Sequence, residues 1–354
     1  MPVNQPRTTS TSPRTAEVTA PGLADAAPLA GPSHGAGLRV AILAGGLSHE
    51  RDVSLRSGRR VAEALRGAGV DVSIHDVDSA LLGDLDARRP DVVWPLLHGA
   101  GGEDGSLRDV LELLGYPYVG TGPHASRLAW DKPIAKARFV AAGLVTPDWL
   151  TLPQELFRDL GARGVLDIVA QRFHLPVVVK PTRGGSALGV TCVTRPDALA
   201  RAMVDCFAYG DTALIERHVE GIELAVSVID GADGPAALPA VEISVEGAYD
   251  FDARYNPGRV EYFTPARLTR SQAQHVSDVA IAAHRALNLR HISRADMILA
   301  PDGTVHLLEV NVAPGMTETS LLPQAALAAG HELGSLYQRL VALAVPEAAS
   351  AARP

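Results

Sequence analysis

"ADMILAPDGTVHLLEVNVAPG", residues 295–315, holds two runs of strand-type residues separated by a Pro-Asp-Gly turn. Such a turn folds two antiparallel strands onto one another and brings their open ends together. Asp296 opens the first run; Glu309 and Asn311 close the second. Glu309 and Asn311 are two positions apart, so the period of a strand puts both on one face. Polar residues commonly mark strand ends, and any one of the three could be no more than that. Together on one hairpin, two carboxylates and an amide carbonyl make a set of hard oxygen donors suited to Mg²⁺ shared with phosphate oxygens. Pro314 and Gly315 then stop the strand, and the hydroxyl-rich "MTETS" (316–320) follows.

Working outward, "PVVVKPTRGGSALGV" (176–190) is a strand that delivers Lys180 into a loop containing Gly184, Gly185 and Gly189. Glycines let backbone N–H groups close around phosphates, and a lysine supplies a point charge. The Gly-Lys-Ser/Thr ending of a Walker loop is missing, and alone the same pattern serves many surface turns. Lys136 lies on the preceding helical segment, and Arg254 in a polar loop, 246–258. In "LIERHVEGIEL" (214–224), Glu216 and Glu223 could accept hydrogen bonds from an adenosine amine and ribose at a domain junction, or could be solvated turn residues. Nearer the N terminus, "GGLSHERDVS" (45–54) places Glu50 just before a helix, where the macrodipole favours negative charge. "LLHGAGGEDG" (96–105) places His98 after a strand, at the carboxyl edge of a parallel sheet where ligands bind. Helix capping and an ordinary turn are the plainer readings of these two loops.

The chain has 354 residues, more than one hydrophobic core usually holds. With 47% hydrophobic and 20% charged residues it reads as an ordinary globular protein. A net charge of -8 argues against nucleic acid or an acidic membrane as principal partner. No apolar run reaches the length of a membrane span. Cys192 and Cys206 have no metal spacing and read as thiols of a reducing compartment, so a cytoplasmic location is expected. Residues 1–36 are rich in Pro, Thr, Ser and Ala and lack the apolar centre of a signal peptide; they read as a disordered tail. "LRVAILAGG" (38–46), "VDVSIHDVD" (70–78) and "DVVWPLL" (91–97) alternate with helical segments, the pattern of a parallel α/β unit. The fold class expected is α/β and α+β in three domains, 37–124, 125–218 and 219–346, with 347–354 a closing tail.

Eight motifs carry a resemblance, in order: "GGLSHERDVSLRSG", "LHGAGGEDG", "YVGTGPHASRLAWDKPIAK", "VVVKPTRGGSALGV", "LIERHVEGIE", "YDFDARYNPGRVEYFTPA", "SRADMIL" and "LLEVNVAPGMTETSLLP". From about residue 38 to 346 the chain resembles the D-alanine–D-alanine ligases of the ATP-grasp superfamily. The resemblance implies a three-domain ATP-grasp architecture with an N-terminal parallel α/β domain and ATP clasped between the second and third domains. It implies ATP-dependent joining of two D-alanines through an acyl phosphate, for peptidoglycan precursor synthesis, by a homodimer. Carried over by position, Lys136, Lys180 and Arg254 would hold ATP phosphates, Glu216 the adenine edge and Glu223 the ribose. Asp296, Glu309 and Asn311 would coordinate two Mg²⁺ ions, or Mn²⁺. Glu50 would bind the ammonium of the first D-alanine, linked to Ser186 and Tyr255, with His98 against the same substrate. Arg294 and the N–H of Gly315 would stabilise the oxyanion, and Ser320 and Leu321 would hold the second carboxylate. Ala187 stands where a second serine is common, and Glu318 lies near the second carboxylate site, where its charge has to point away. The same chemistry on another pair of D-amino acids, and a non-catalytic ATP-binding protein, are the alternative readings.

Overall fold

The computed structural model describes residues 37–245 and 260–345. Arg254, Tyr255 and both expected tails lie outside the described residues. Three sheets organise the chain. The first is parallel, with β1 (Arg39–Leu43) between β2 (Asp71–His75) and β3 (Val92–Pro95). Four of the five β1 residues and all four of β3 are buried, as expected of parallel strands covered on both faces. The helix Arg51–Gly67 covers one of those faces with Val61, Ala62 and Leu65.

The second sheet is antiparallel, ordered β4 (Trp149–Pro153), β7 (Thr212–Arg217), β5 (Val177–Pro181), β6 (Thr191–Val193). Helices Ala162–Phe173 and Leu199–Phe207 close one side of it through Val169, Leu199, Ala202, Met203 and Cys206.

The third sheet has six strands. β8 (Ile222–Gly231) lies between β10 (Val241–Val245) and β12 (Ile292–Leu299), with β11 (Val260–Phe263) and β13 (Val305–Asn311) at the two ends and β9 (Gly234–Ala237) also pairing β8. The strand period sorts its two faces. Leu224, Val226 and Val228 of β8 pack with the helices Pro123–Trp130, Lys132–Ala141 and Arg270–Ala286. Ala225 and Ile229 look the other way, toward the parallel sheet and the closing helices Leu321–Ala328 and Leu333–Ala344. The large sheet thus packs apolar residues on both of its faces. Ala125, Ala129, Ala135 and Phe139, expected within a unit running 125–218, belong to the core of this sheet and not to the four-stranded one.

β12 and β13 pair as the turn at 301–303 requires, but with a shift: Met297 faces Leu307, whereas Asp296 faces Glu309. Leu308 is the extra residue of a β-bulge. Its effect is decisive, because one inserted residue exchanges the two faces of a strand. Val305 and Leu307 point into the core below, and without the bulge Glu309 would follow them. With it, Glu309 and Asn311 stand on the opposite face, directly across from Asp296 and Arg294. Among the described residues no helix is long and apolar enough to cross a membrane.

Candidate active site

A cleft of about 630 Å³ lies between the four-stranded and six-stranded sheets. Lys132, Lys180, Glu216, Glu223, Asp296 and Glu309 all line it, together with the glycine loop at 184–188. A smaller pocket at its inner end is lined by Glu103, Ser186, Arg294, Glu309 and Asn311. The two share Lys132, Gly184, Gly185 and Glu309, so they form one continuous site.

The acidic pair sits at the join. The Arg294 guanidinium grips Asp296 through Nε and a terminal nitrogen, both at 2.7 Å. Lys132 Nζ lies 3.3 Å from Glu309 Oε2 and donates to the Gly184 carbonyl at 2.7 Å, fastening the glycine loop over the pair. Asn311 Oδ1 accepts from the Ala313 N–H at 2.7 Å. Among the described residues no cluster of three His, Cys, Asp or Glu side chains is placed for a metal. The donors here are two carboxylates and an amide oxygen with cationic neighbours, a set that fits a hard cation shared with a polyphosphate rather than a closed protein cage.

Lys136, expected from the resemblance to hold ATP phosphates, does not line the cleft. Lys132 and Lys136 are four apart on one helix face, yet only Lys132 reaches the cleft. Lys136 has no exposed surface. Its ammonium lies 2.6 Å from Glu216 Oε1, donates to Thr146 Oγ1 at 2.5 Å, and sits 5.6 Å from the Trp149 ring centroid. Lys180 holds the other oxygen of Glu216 at 2.6 Å. Burial opposes charge on all three. It drives Lys136 down to about 8; at Glu216 the two lysines outweigh burial and lower the carboxyl, and at Lys180 the carboxylate outweighs burial and raises the amine.

At the inner end, the loop before helix Arg51–Gly67 is fixed by Ser54, whose hydroxyl accepts from Gly45 N and donates to the Leu96 carbonyl. Glu50 sits at the head of that helix without capping it. Its carboxylate instead accepts from the Ser186 hydroxyl. Ser186 and Ala187 both adopt left-handed backbone (φ 52° and 56°), which aims the serine inward. Gly99 and Gly185 make room for the carboxylate: a Cβ on either would stand 3.3 to 3.4 Å from Glu50 Oε2.

His98 is buried, its Nδ1 3.1 Å from the Ala313 carbonyl and its Nε2 3.4 Å from Ser57 Oγ. Burial lowers its basicity against the pull of Glu50. Glu103, which the sequence reading passed over, accepts the Gly99 N–H at 3.0 Å. Burial, then the nearby Glu50, pushes its carboxyl up to about 8.

The segment after Asn311 is folded against the N-terminal helix. Met316 N donates to Ser57 Oγ at 3.1 Å, and Thr317 N to Ser320 Oγ at 2.9 Å. Ser320 precedes helix Leu321–Ala328, and the Leu321 side chain lies in the core, which leaves its backbone N–H as the group a ligand could use. Glu318 turns away from this end and pairs with Arg60 at 3.1 Å. Two functional candidates were missed in the sequence, Lys132 and Glu103. The available signal for Lys132 was Asp131, the residue before it, whose side chain accepts from Ile134 N and starts the helix at the cleft edge.

Comparison with known proteins agrees with this arrangement. Residues 139–342 match the family described as D-ala D-ala ligase C-terminus. A D-alanine–D-alanine ligase from Anaeromyxobacter dehalogenans is 42% identical over 306 residues, 86% of this chain and 96% of that protein. One from Oleidesulfovibrio alaskensis is 42% identical over 309 residues, 86% of this chain and 96% of that protein. The crystal structure of the D-alanine–D-alanine ligase from Bacillus anthracis matches with a TM-score of 0.73 at 28% identity, covering 87% of this chain and 97% of that one. Its complex with ATP matches at 0.72, with the same identity and coverage. This chain belongs to the D-alanine–D-alanine ligase family.

Proposed function

We propose that this protein joins two D-alanines into D-alanyl-D-alanine at the expense of ATP, supplying a precursor of peptidoglycan. The observation that carries the reading is the continuity of one site. The Glu50–Ser186 pair, the Asp296–Glu309 pair and the cleft-facing Lys132 and Lys180 surround a single connected space.

A carboxylate is a poor electrophile and must first be activated. An oxygen of the first D-alanine attacks the γ-phosphorus of ATP, ADP leaves, and an acyl phosphate results. Lys132 and Lys180 face the polyphosphate, Glu216 the adenine edge and Glu223 the ribose. Asp296, Glu309 and Asn311 would hold two Mg²⁺ or Mn²⁺ ions, which when bound neutralise charge on the transferring phosphoryl group. Glu50, steadied by Ser186, takes the ammonium of the first D-alanine, with His98 beside it.

The free amine of the second D-alanine then attacks the acyl carbon. Negative charge develops on the carbonyl oxygen, toward Arg294 and the N–H of Gly315. The attacking nitrogen gives up a proton to solvent, and collapse expels phosphate and leaves the peptide bond. Ser320 and the Leu321 N–H hold the second carboxylate; by the family resemblance Arg254 would act on the ATP phosphates and Tyr255 on the Glu50 network. A cytoplasmic homodimer is the form proposed.

The test is a substrate panel. Purified protein with Mg²⁺ and ATP is offered D-alanine alone and then with D-serine or D-lactate, and phosphate and products are quantified by enzymatic assay and mass. D-Alanyl-D-alanine as main product supports the reading. Phosphate release without D-amino acid, or a different main product, refutes it.

A further inference from the structure

Lys136 is a buried lysine that the reaction does not use, and its surroundings are unusual. The Glu216 carboxylate is held between two ammonium groups, Lys136 at one oxygen and Lys180 at the other, each at 2.6 Å. Only one of the two lysines lines the cleft. Lys180 faces the space that takes the nucleotide, whereas Lys136 is sealed beneath by Thr146 and Trp149. An anion entering the cleft can therefore compete with Glu216 for Lys180 alone. Were Lys180 the only partner, drawing it toward a phosphate would strand a buried carboxylate, which is strongly unfavourable.

We propose that Lys136 is a positioning residue of the nucleotide cleft: it keeps Glu216 paired from below, so that Lys180 is free to turn to the polyphosphate of an incoming nucleotide. The inference rests on the ligase reading and adds a role for a residue that touches no substrate. In the resting protein the three groups carry one net positive charge, shared through Glu216. When a polyphosphate arrives, Lys180 changes partner and the Lys136–Glu216 pair remains neutral.

The device has a pH range. Glu216 on β7, Lys180 on β5, and at longer range Glu309 on β13 are the charged groups acting on Lys136; Thr146 and Trp149 complete its surroundings. Burial sets its pKa at about 8. Above that pH the lower partner loses its charge and Glu216 retains Lys180.

The experiment is calorimetric binding of ATP with Mg²⁺, and of adenosine, to the full chain and its variants. Lys136→Met is expected to weaken ATP about tenfold or more, the scale of one charge-assisted hydrogen bond, while adenosine changes far less. Wild-type affinity for ATP, but not for adenosine, is expected to fall between about pH 7 and 9.5, and Lys136→Met is expected to lack that dependence. Because a stranded Glu216 could unfold the single variant, Lys136→Met/Glu216→Gln is measured too. With no carboxylate to hold, its ATP-to-adenosine affinity ratio should return toward the wild-type value. A purely structural role predicts that both ligands weaken together, and an unchanged ratio in Lys136→Met with a flat wild-type pH profile overturns the inference alone. A wild-type protein that binds no ATP overturns the ligase reading as well.

Discussion

Glu50 and Ser186 come from loops 136 residues apart, joined by one hydrogen bond. Removing it with Ser186→Ala leaves the Glu50 carboxylate free to move, and KM for the first D-alanine should rise by about tenfold or more with a smaller change for ATP. Glu309→Gln should lower kcat about 100-fold or more with the fold retained by far-ultraviolet circular dichroism, because an amide is a poorer ligand for a hard cation; a wild-type rate would remove Glu309 from the site. Glu103 makes a stability prediction. Its folded pKa of about 8 lies above the ordinary 4.5. A group shifted in that direction stabilises the fold below its unfolded value, and the contribution is lost as pH rises through the folded one. Wild type should therefore lose stability relative to Glu103→Gln between about pH 4.5 and 8, by at most roughly 5 kcal/mol. Denaturant titrations of the two proteins at pH 5 and 9 measure the difference, and parallel curves would refute the shift. That Glu309 and Asn311 share one face was legible in the sequence, because a strand has period two. The lysines were not: a helix puts Lys132 and Lys136 on one face, and which of them meets the cleft depends on where that helix docks. Glu103 was invisible for a related reason, since its burial and its neighbour Glu50 come from different loops.

The bulge at Leu308 shows what a pattern of residues can and cannot reveal. The sequence places Glu309 and Asn311 together, but the alternation begun by Val305 and Leu307 would send both into the core. Only the pairing with β12 shows the inserted residue that turns them outward. Helix Arg270–Ala286 lies on the opposite side of the same sheet and begins with a complete capping box: Thr269 accepts from Gln272 N, and the Gln272 side chain accepts from Thr269 N. Thr269→Ala should cost about 1 kcal/mol of stability and leave KM for ATP and for D-alanine unchanged. A change in either constant would mean that this helix end reaches the site.

At the scale of the whole molecule, the parallel first domain was legible from its alternating runs, but its cover was not. Leu336, Tyr337 and Leu340 of the closing helix pack into the core built from β1, β3 and helix Arg51–Gly67, and the Tyr337 ring meets Trp94 edge-on at 5.5 Å. A sequence shows the apolar stripe of that helix and not the distant surface it will cover. Tyr337→Ala should destabilise the protein by about 3 to 5 kcal/mol and diminish the near-ultraviolet circular dichroism of Trp94. The same packing has a consequence for biosynthesis. The first sheet leaves the ribosome long before the helix that seals it. At about 5–20 residues per second, the stretch between Pro95, where β3 ends, and Tyr337 takes on the order of 12 to 48 s to translate. Throughout that interval the apolar face that Tyr337 will cover is open to water, so the growing chain offers holding chaperones a surface that the finished enzyme no longer has.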